Sequence, residues 1–188
     1  MPKTVAGVIM LVFALASVAT SAQAPPAPRQ PRGTATDVSN ADLQASVQKM
    51  TAAVGDVQLR VVAIDNQPNV GVGIVRRTRP GGANSIEHSQ ITEIYHITEG
   101  SATLVTGGTM ENPREAAPDS QVVKLLNGPS TSGGKIAGGV SRKVSIGDVV
   151  IIPPNTPHWF SDIASEQIVY LVVRVDPHKV LPAGHGAQ

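Results

Sequence analysis

Residues Ser85–Thr106 read SIEHSQITEIYHITEGSATLVT, and this stretch decides the fold. Its β-branched and aromatic residues come in short runs, each closed by Ser, Gln, Glu or Gly, which is how brief strands and tight turns are written. Side chains on a strand alternate faces, so Glu93, Tyr95 and Ile97 share one face while Ile94 and His96 share the other. The same texture extends on both sides. Candidate strands run over Val57–Asp65, Val70–Thr78, Ser85–Ser89, Glu93–Thr98, Ala102–Thr106, Gln121–Leu126, Lys143–Ser145, Val149–Ile152, His158–Ser161 and Gln167–Val175. No helix of crossover length separates them, which excludes a parallel α/β sheet and leaves an all-β sandwich or barrel. Eighteen Gly and fifteen Pro among 188 residues fit a chain of turns rather than a helical bundle.

The barrel is expected over residues 55–177, interrupted by a long inserted loop at about 107–140. The glycines of that loop, Gly133, Gly134, Gly138 and Gly139, neither follow a phosphate-loop spacing nor precede a helix, so phosphate binding is set aside. Upstream, Ser39 with Asp42 resembles a capping box, and Leu43, Val47, Met50 and Val54 follow at helical spacing. One amphipathic helix is expected over 37–54, laid against its own domain. Residues 25–36, PPAPRQPRGTAT, form a Pro-rich linker. Residues 1–24 place Lys3 before an apolar stretch and end in Ala22-Gln23-Ala24, the pattern of a signal peptide cleaved after Ala24. The apolar stretch is too short to span a bilayer. A periplasmic or secreted protein is expected, with no membrane attachment after cleavage. Residues 178–188 form a C-terminal tail in which His178 and His185 are solvated.

Charge and composition exclude several functions. Fifteen basic and fourteen acidic side chains leave +1, with no Lys/Arg run to track a phosphate backbone, so no nucleic acid is expected as a partner. The absence of Cys removes disulfides and thiol chemistry, and no Gly-x-Ser-x-Gly elbow marks a serine hydrolase. The remaining chemistry gathers on strand faces. An inward Glu93 in an apolar barrel would cost several kcal/mol unless a cation faced it or a proton neutralised it. A metal ion would supply that cation. Ile86 and His88 share a face, as do His158, Phe160 and Asp162 by simple alternation. Arg76 and Arg77 lie on opposite faces, so at most one points inward, where it could hold a substrate carboxylate. Arg174 and His96 are ambiguous.

Two segments resemble the motifs of the cupin superfamily. In PGGANSIEHSQITEIYHITEG, His88 stands at the second His, Glu93 follows after four residues and Gly100 after six more, while Ile86 takes the first His position and Gly81 is one residue out of register. In GDVVIIPPNTPHWFSD, Gly147, Pro153 and His158 match, with Asn155 where Gly is usual and Asp162 where Asn is usual. Asn tolerates the left-handed turn nearly as well as Gly, which makes the first exchange benign. The resemblance implies an all-β double-stranded β-helix, a jelly-roll barrel with one short N-terminal helix. It also implies one divalent metal ion, Fe, Mn, Zn or Ni, held by His88, Glu93 and His158. Two His and one carboxylate are the ligand set of oxygen-using ferrous sites and of catalytic zinc. Tyr95 and Phe160 would line a substrate pocket with Ile86, and the Gln90 carbonyl could reach the position that Ile86 leaves empty. The implied function is that of a metal-binding cupin acting on a small oxygen-bearing molecule, of dioxygenase, isomerase or lyase type. The alternative is a non-catalytic small-molecule or carbohydrate-binding cupin whose metal site has degenerated. By analogy with the family, a homodimer is expected.

Overall fold

The computed structural model describes residues 35–80 and 84–184. The signal peptide, all of the linker but Ala35 and Thr36, the motif position Gly81 and the tail residue His185 lie outside the described residues. Helix α1 spans Asn40–Lys49, and Ser39 caps it by accepting a hydrogen bond from the Asp42 amide, as the capping-box pattern requires. It is shorter than the expected 37–54. Met50 ends it in an extended conformation and lies against the bare Cα of Gly55, so Val54 belongs to the first strand. Val38, Leu43 and Val47 of this segment pack on Met50, Leu59, Ile74 and Val169, which is the burial expected of an amphipathic helix on its own domain.

Thirteen strands follow: β1 Val54–Val62, β2 Asn69–Thr78, β3 Ser85–His88, β4 Thr92–Glu99, β5 Ser101–Thr106, β6 Thr109–Met110, β7 Arg114–Glu115, β8 Ser130–Gly133, β9 Ile136–Ala137, β10 Val140–Ser145, β11 Val149–Ile152, β12 His158–Ile163 and β13 Gln167–Asp176. One sheet has the order β1-β2-β13-β4-β11 and the other β10-β5-β12-β3-β8-β7, with β6 and β9 forming a small separate pair. Every pairing is antiparallel. The strand texture predicts an all-β architecture, and the jelly roll is the form that the motif resemblance implies. Residues of both sheets, including Ile97, Leu104, Ile152, Phe160, Ile168 and Val172, fill the space between them. The apolar burial supplies the main stabilisation, and the alternation along β4 buries Tyr95 and Ile97 while leaving His96 exposed.

Three local expectations are corrected. The inserted region 107–140 is not an irregular loop: it carries β6 to β9 and a π-helical turn at Val122–Asn127. The Gln121–Leu126 strand is that turn. Its apolar residues at 122, 123, 125 and 126 suit a helical face as well as a strand, and a Ser120 carbonyl that accepts from the Lys124 amide starts the turn. Asp162 does not share the inward face of His158 and Phe160, because the β12–β5 register shifts between Phe160 and Asp162, a bulge that leaves Asp162 exposed. Gly133, meanwhile, serves close packing: a Cβ there would stand 2.8 Å from the Cβ of Met110.

Candidate metal centre

Three strands of the two sheets carry the candidate ligands. His88 ends β3, Glu93 is the second residue of β4 and His158 opens β12. A turn joins the two motif segments: the Asn155 amide donates to the His88 carbonyl at 2.8 Å. Asn155 has φ +58°, the left-handed conformation in which Asn stands in for Gly. Glu93 is 2% exposed, and His88 and His158 are 3% exposed each. Glu93 Oε2 lies 3.4 Å from His88 Nε2 and 3.5 Å from His158 Nε2. One ligating atom from each of the three residues falls within 4.8 Å of the others. The cluster is able to hold an ion.

The outer hydrogen bonds decide what the imidazoles offer. Ser130 Oγ donates its proton to the Gly128 carbonyl, so at its 2.9 Å contact with His88 it accepts from Nδ1. His158 Nδ1 donates to the Thr156 carbonyl at 3.0 Å. The other nitrogen of each ring, Nε2, then faces Glu93, the orientation that outer partners impose on metal-bound imidazole. Burial, reinforced by neighbouring His88, lowers the His158 pKa from 6.5 to about 4, so this ring is neutral at physiological pH. Its Nε2 is buried without a hydrogen-bond partner.

Burial alone would raise the Glu93 carboxyl, but neighbouring His88 and Arg174 bring it well below the usual carboxylate range. It is an anion. Oε1 accepts from Arg174 Nε at 3.1 Å, and Oε2 accepts from the Tyr95 hydroxyl at 2.7 Å. Burial and the Glu93 charge hold Tyr95 well above the ordinary phenol range, so it remains a donor. Arg174, 1% exposed, also donates to Gln58 Oε1 at 2.7 Å and to Asp56 Oδ2 at 2.5 Å. Sequence reasoning left Arg174 ambiguous and missed Asp56, Gln58 and Ser130. The available signal was Gly71 and Gly73 on β2, since glycine inside a strand marks a close approach. A Cβ at Gly71 would stand 2.6 Å from Gln58 Nε2, and one at Gly73 would stand 3.2 Å from Arg174 Nη1.

A cavity of about 250 Å³ opens on the cluster, lined in part by Ile86, Tyr95, Val122, Leu126 and Asn127. The π-helical turn thus supplies one wall, which no reading of the sequence placed there. Ile86 is on the cavity face with His88, as alternation requires, and offers no ligand atom. Phe160 is buried in the main core beneath the Arg77 guanidinium, and Gln90, half-buried in the β3–β4 turn, does not line the cavity. His178 is exposed. Among the described residues no helix is long and apolar enough to cross a membrane.

The family described as Cupin matches residues 42–186. The chain is also similar to solved structures, each at a low level of identity. Protein BH2720 of Bacillus halodurans is 13% identical with a TM-score of 0.45, the match covering 81% of this chain and 89% of that one. The cupin domain of Schizosaccharomyces pombe Cnp3 is 10% identical with a TM-score of 0.42, covering 70% and 72%. KdgF from a Halomonas species is 15% identical with a TM-score of 0.39, covering 70% and 87%. No curated protein matches the sequence.

Proposed function

The chain belongs to the cupin family, and on that premise we propose that it is a periplasmic or secreted metal-dependent protein that holds one divalent ion on His88, Glu93 and His158 and acts on a small oxygen-bearing molecule. One observation carries the proposal. The Nε2 lone pair of a neutral, buried His158 faces the carboxylate of an ionised, buried Glu93 at 3.5 Å with no proton between them. Two acceptors held that close in a low-dielectric interior repel each other, and a cation between them reverses the sign. The donor set of two imidazole nitrogens and one carboxylate oxygen suits Fe, Mn, Zn or Ni and leaves coordination positions for a ligand. A bound ion there supplies Lewis acidity or, for a redox-active metal, access to dioxygen chemistry, which defines the dioxygenase, isomerase or lyase classes.

The protein's own part is positional. Ser130 and the Thr156 carbonyl fix both rings, Arg174 and Tyr95 fix the carboxylate, and Ile86, Val122 and Leu126 keep the approach apolar. A second reading, a non-catalytic binding cupin, draws on Ile86 at the vacant ligand position and on Arg174, which already forms an ion pair with Glu93. Elemental analysis of untagged protein distinguishes the two. The proposal expects close to one metal per chain, lost in both His88→Ala and His158→Ala. A folded parent that stays metal-free after incubation with Fe, Mn, Zn and Ni would favour the binding cupin.

A further inference from the structure

The cavity holds a second set of polar atoms that the His88–Glu93–His158 cluster does not use. Arg77 lines it, with Nε donating to the Tyr170 hydroxyl at 3.0 Å and Cζ 5.6 Å from the centroid of the Phe160 ring. Among the described residues no acceptor takes either Nη nitrogen and no carboxylate forms an ion pair with it. Its neighbour Arg76 turns away and donates from Nη2 to the Ala52 carbonyl. Asp56 gives Oδ2 to Arg174, while its Oδ1 is buried without a partner. Asn127, 7% exposed at the end of the π-helical turn, likewise has an unpartnered Oδ1. Both side chains line the same space.

Buried polar atoms without partners cost free energy, so this arrangement describes the ligand that would satisfy it. A free guanidinium fork matches a planar carboxylate in two parallel hydrogen bonds. Two orphaned acceptors call for hydroxyl donors. Of the charged side chains that line the cavity, Asp56 and Glu93 are already paired with Arg174, which leaves Arg77 as the lining cation without a carboxylate and makes the completing ligand anionic. A volume of about 250 Å³ limits that ligand to a compact molecule. We propose that the cavity binds a small hydroxycarboxylic acid, its carboxylate seated on the Nη fork of Arg77 and its hydroxyl groups donating to Asp56 Oδ1 and Asn127 Oδ1. The assignment rests on the metal-dependent reading only in placing the ligand beside the His–Glu–His cluster.

Calorimetric titration of the purified full chain, both zinc-loaded and metal-free, with glycerate, glyceramide and propionate tests it. Glycerate should bind about tenfold more tightly than its uncharged amide in both forms, the weight of a charge-assisted hydrogen-bond pair, and several-fold more tightly than propionate, which lacks the hydroxyls. Arg77→Leu should abolish the preference for acid over amide, and Asn127→Ala should reduce that for glycerate over propionate, both at unchanged zinc content. Equal affinity for glycerate and glyceramide, or an acid preference that survives Arg77→Leu because the metal alone supplies it, overturns the assignment. Should Arg77→Leu fail to fold, the acid-to-amide ratio of the metal-free parent decides. A parent that takes up no metal yet prefers glycerate through Arg77 retires the metal reading and leaves the subsite standing.

Discussion

The two oxygens of Glu93 face two differently built regions. On the Oε1 side, Arg174 distributes its donors over Glu93, Gln58 and Asp56 Oδ2, so opposite charges meet at hydrogen-bonding distance. On the Oε2 side, the Tyr95 hydroxyl donates, and the two Nε2 atoms stand 3.4 and 3.5 Å away. Arg174 and Glu93 are buried as deeply as the two imidazoles, yet the first side pairs opposite charges while the second sets a neutral His158 against the carboxylate. The difference separates a polar cluster that holds the barrel together from one that awaits a ligand.

The contrast can be broken from either side. Arg174→Met should have the largest effect, about 3–5 kcal/mol of lost stability in urea unfolding, because it strands the buried Glu93 carboxylate and leaves the half-buried Asp56 without its cation. A cost below about 1 kcal/mol would show that the Oε1 side is not the structural half. Next comes pH. The His158 pKa falls from 6.5 unfolded to about 4 folded, so in metal-free protein its contribution is complete above pH 6.5 and lost as pH falls toward 4. The loss should reach about 3 kcal/mol across that window, and His158→Gln should flatten the profile there. Gly73→Ala places a Cβ 2.8 Å from the Val57 carbonyl and 3.2 Å from Arg174 Nη1. It should cost about 1–3 kcal/mol by crowding the Arg174 side alone, with metal content unchanged. The smallest effect belongs to the turn that ties the motifs together: Asn155→Ala at φ +58° should cost about 1 kcal/mol, whereas Asn155→Gly should be near neutral.

Much of this was legible before any coordinates. Alternation on β4 turned Glu93, Tyr95 and Ile97 inward, and two short motifs far apart in the chain pointed to one carboxylate and two imidazoles. The turn chemistry of Asn155 and the cap at Ser39 are local properties, and local properties are written in the sequence. What escaped depends on distance along the chain. Arg174 meets Gln58 and Asp56 more than a hundred residues away, and in QIVYLVVRVD nothing says which face a lone Arg will take. The wall formed by Val122, Leu126 and Asn127 was hidden because VVKLL suits two periodicities. The exposure of Asp162 follows from a bulge that no alternation rule contains.

The most direct measurement is anomalous diffraction at the metal edge from crystals of zinc- or manganese-soaked protein. One peak is expected, about 2.0–2.2 Å from Nε2 of His88, Nε2 of His158 and an oxygen of Glu93, and it should vanish in His158→Ala crystals. A peak located elsewhere, or a water or proton bridging His158 Nε2 to Glu93 in soaked crystals, would contradict the account.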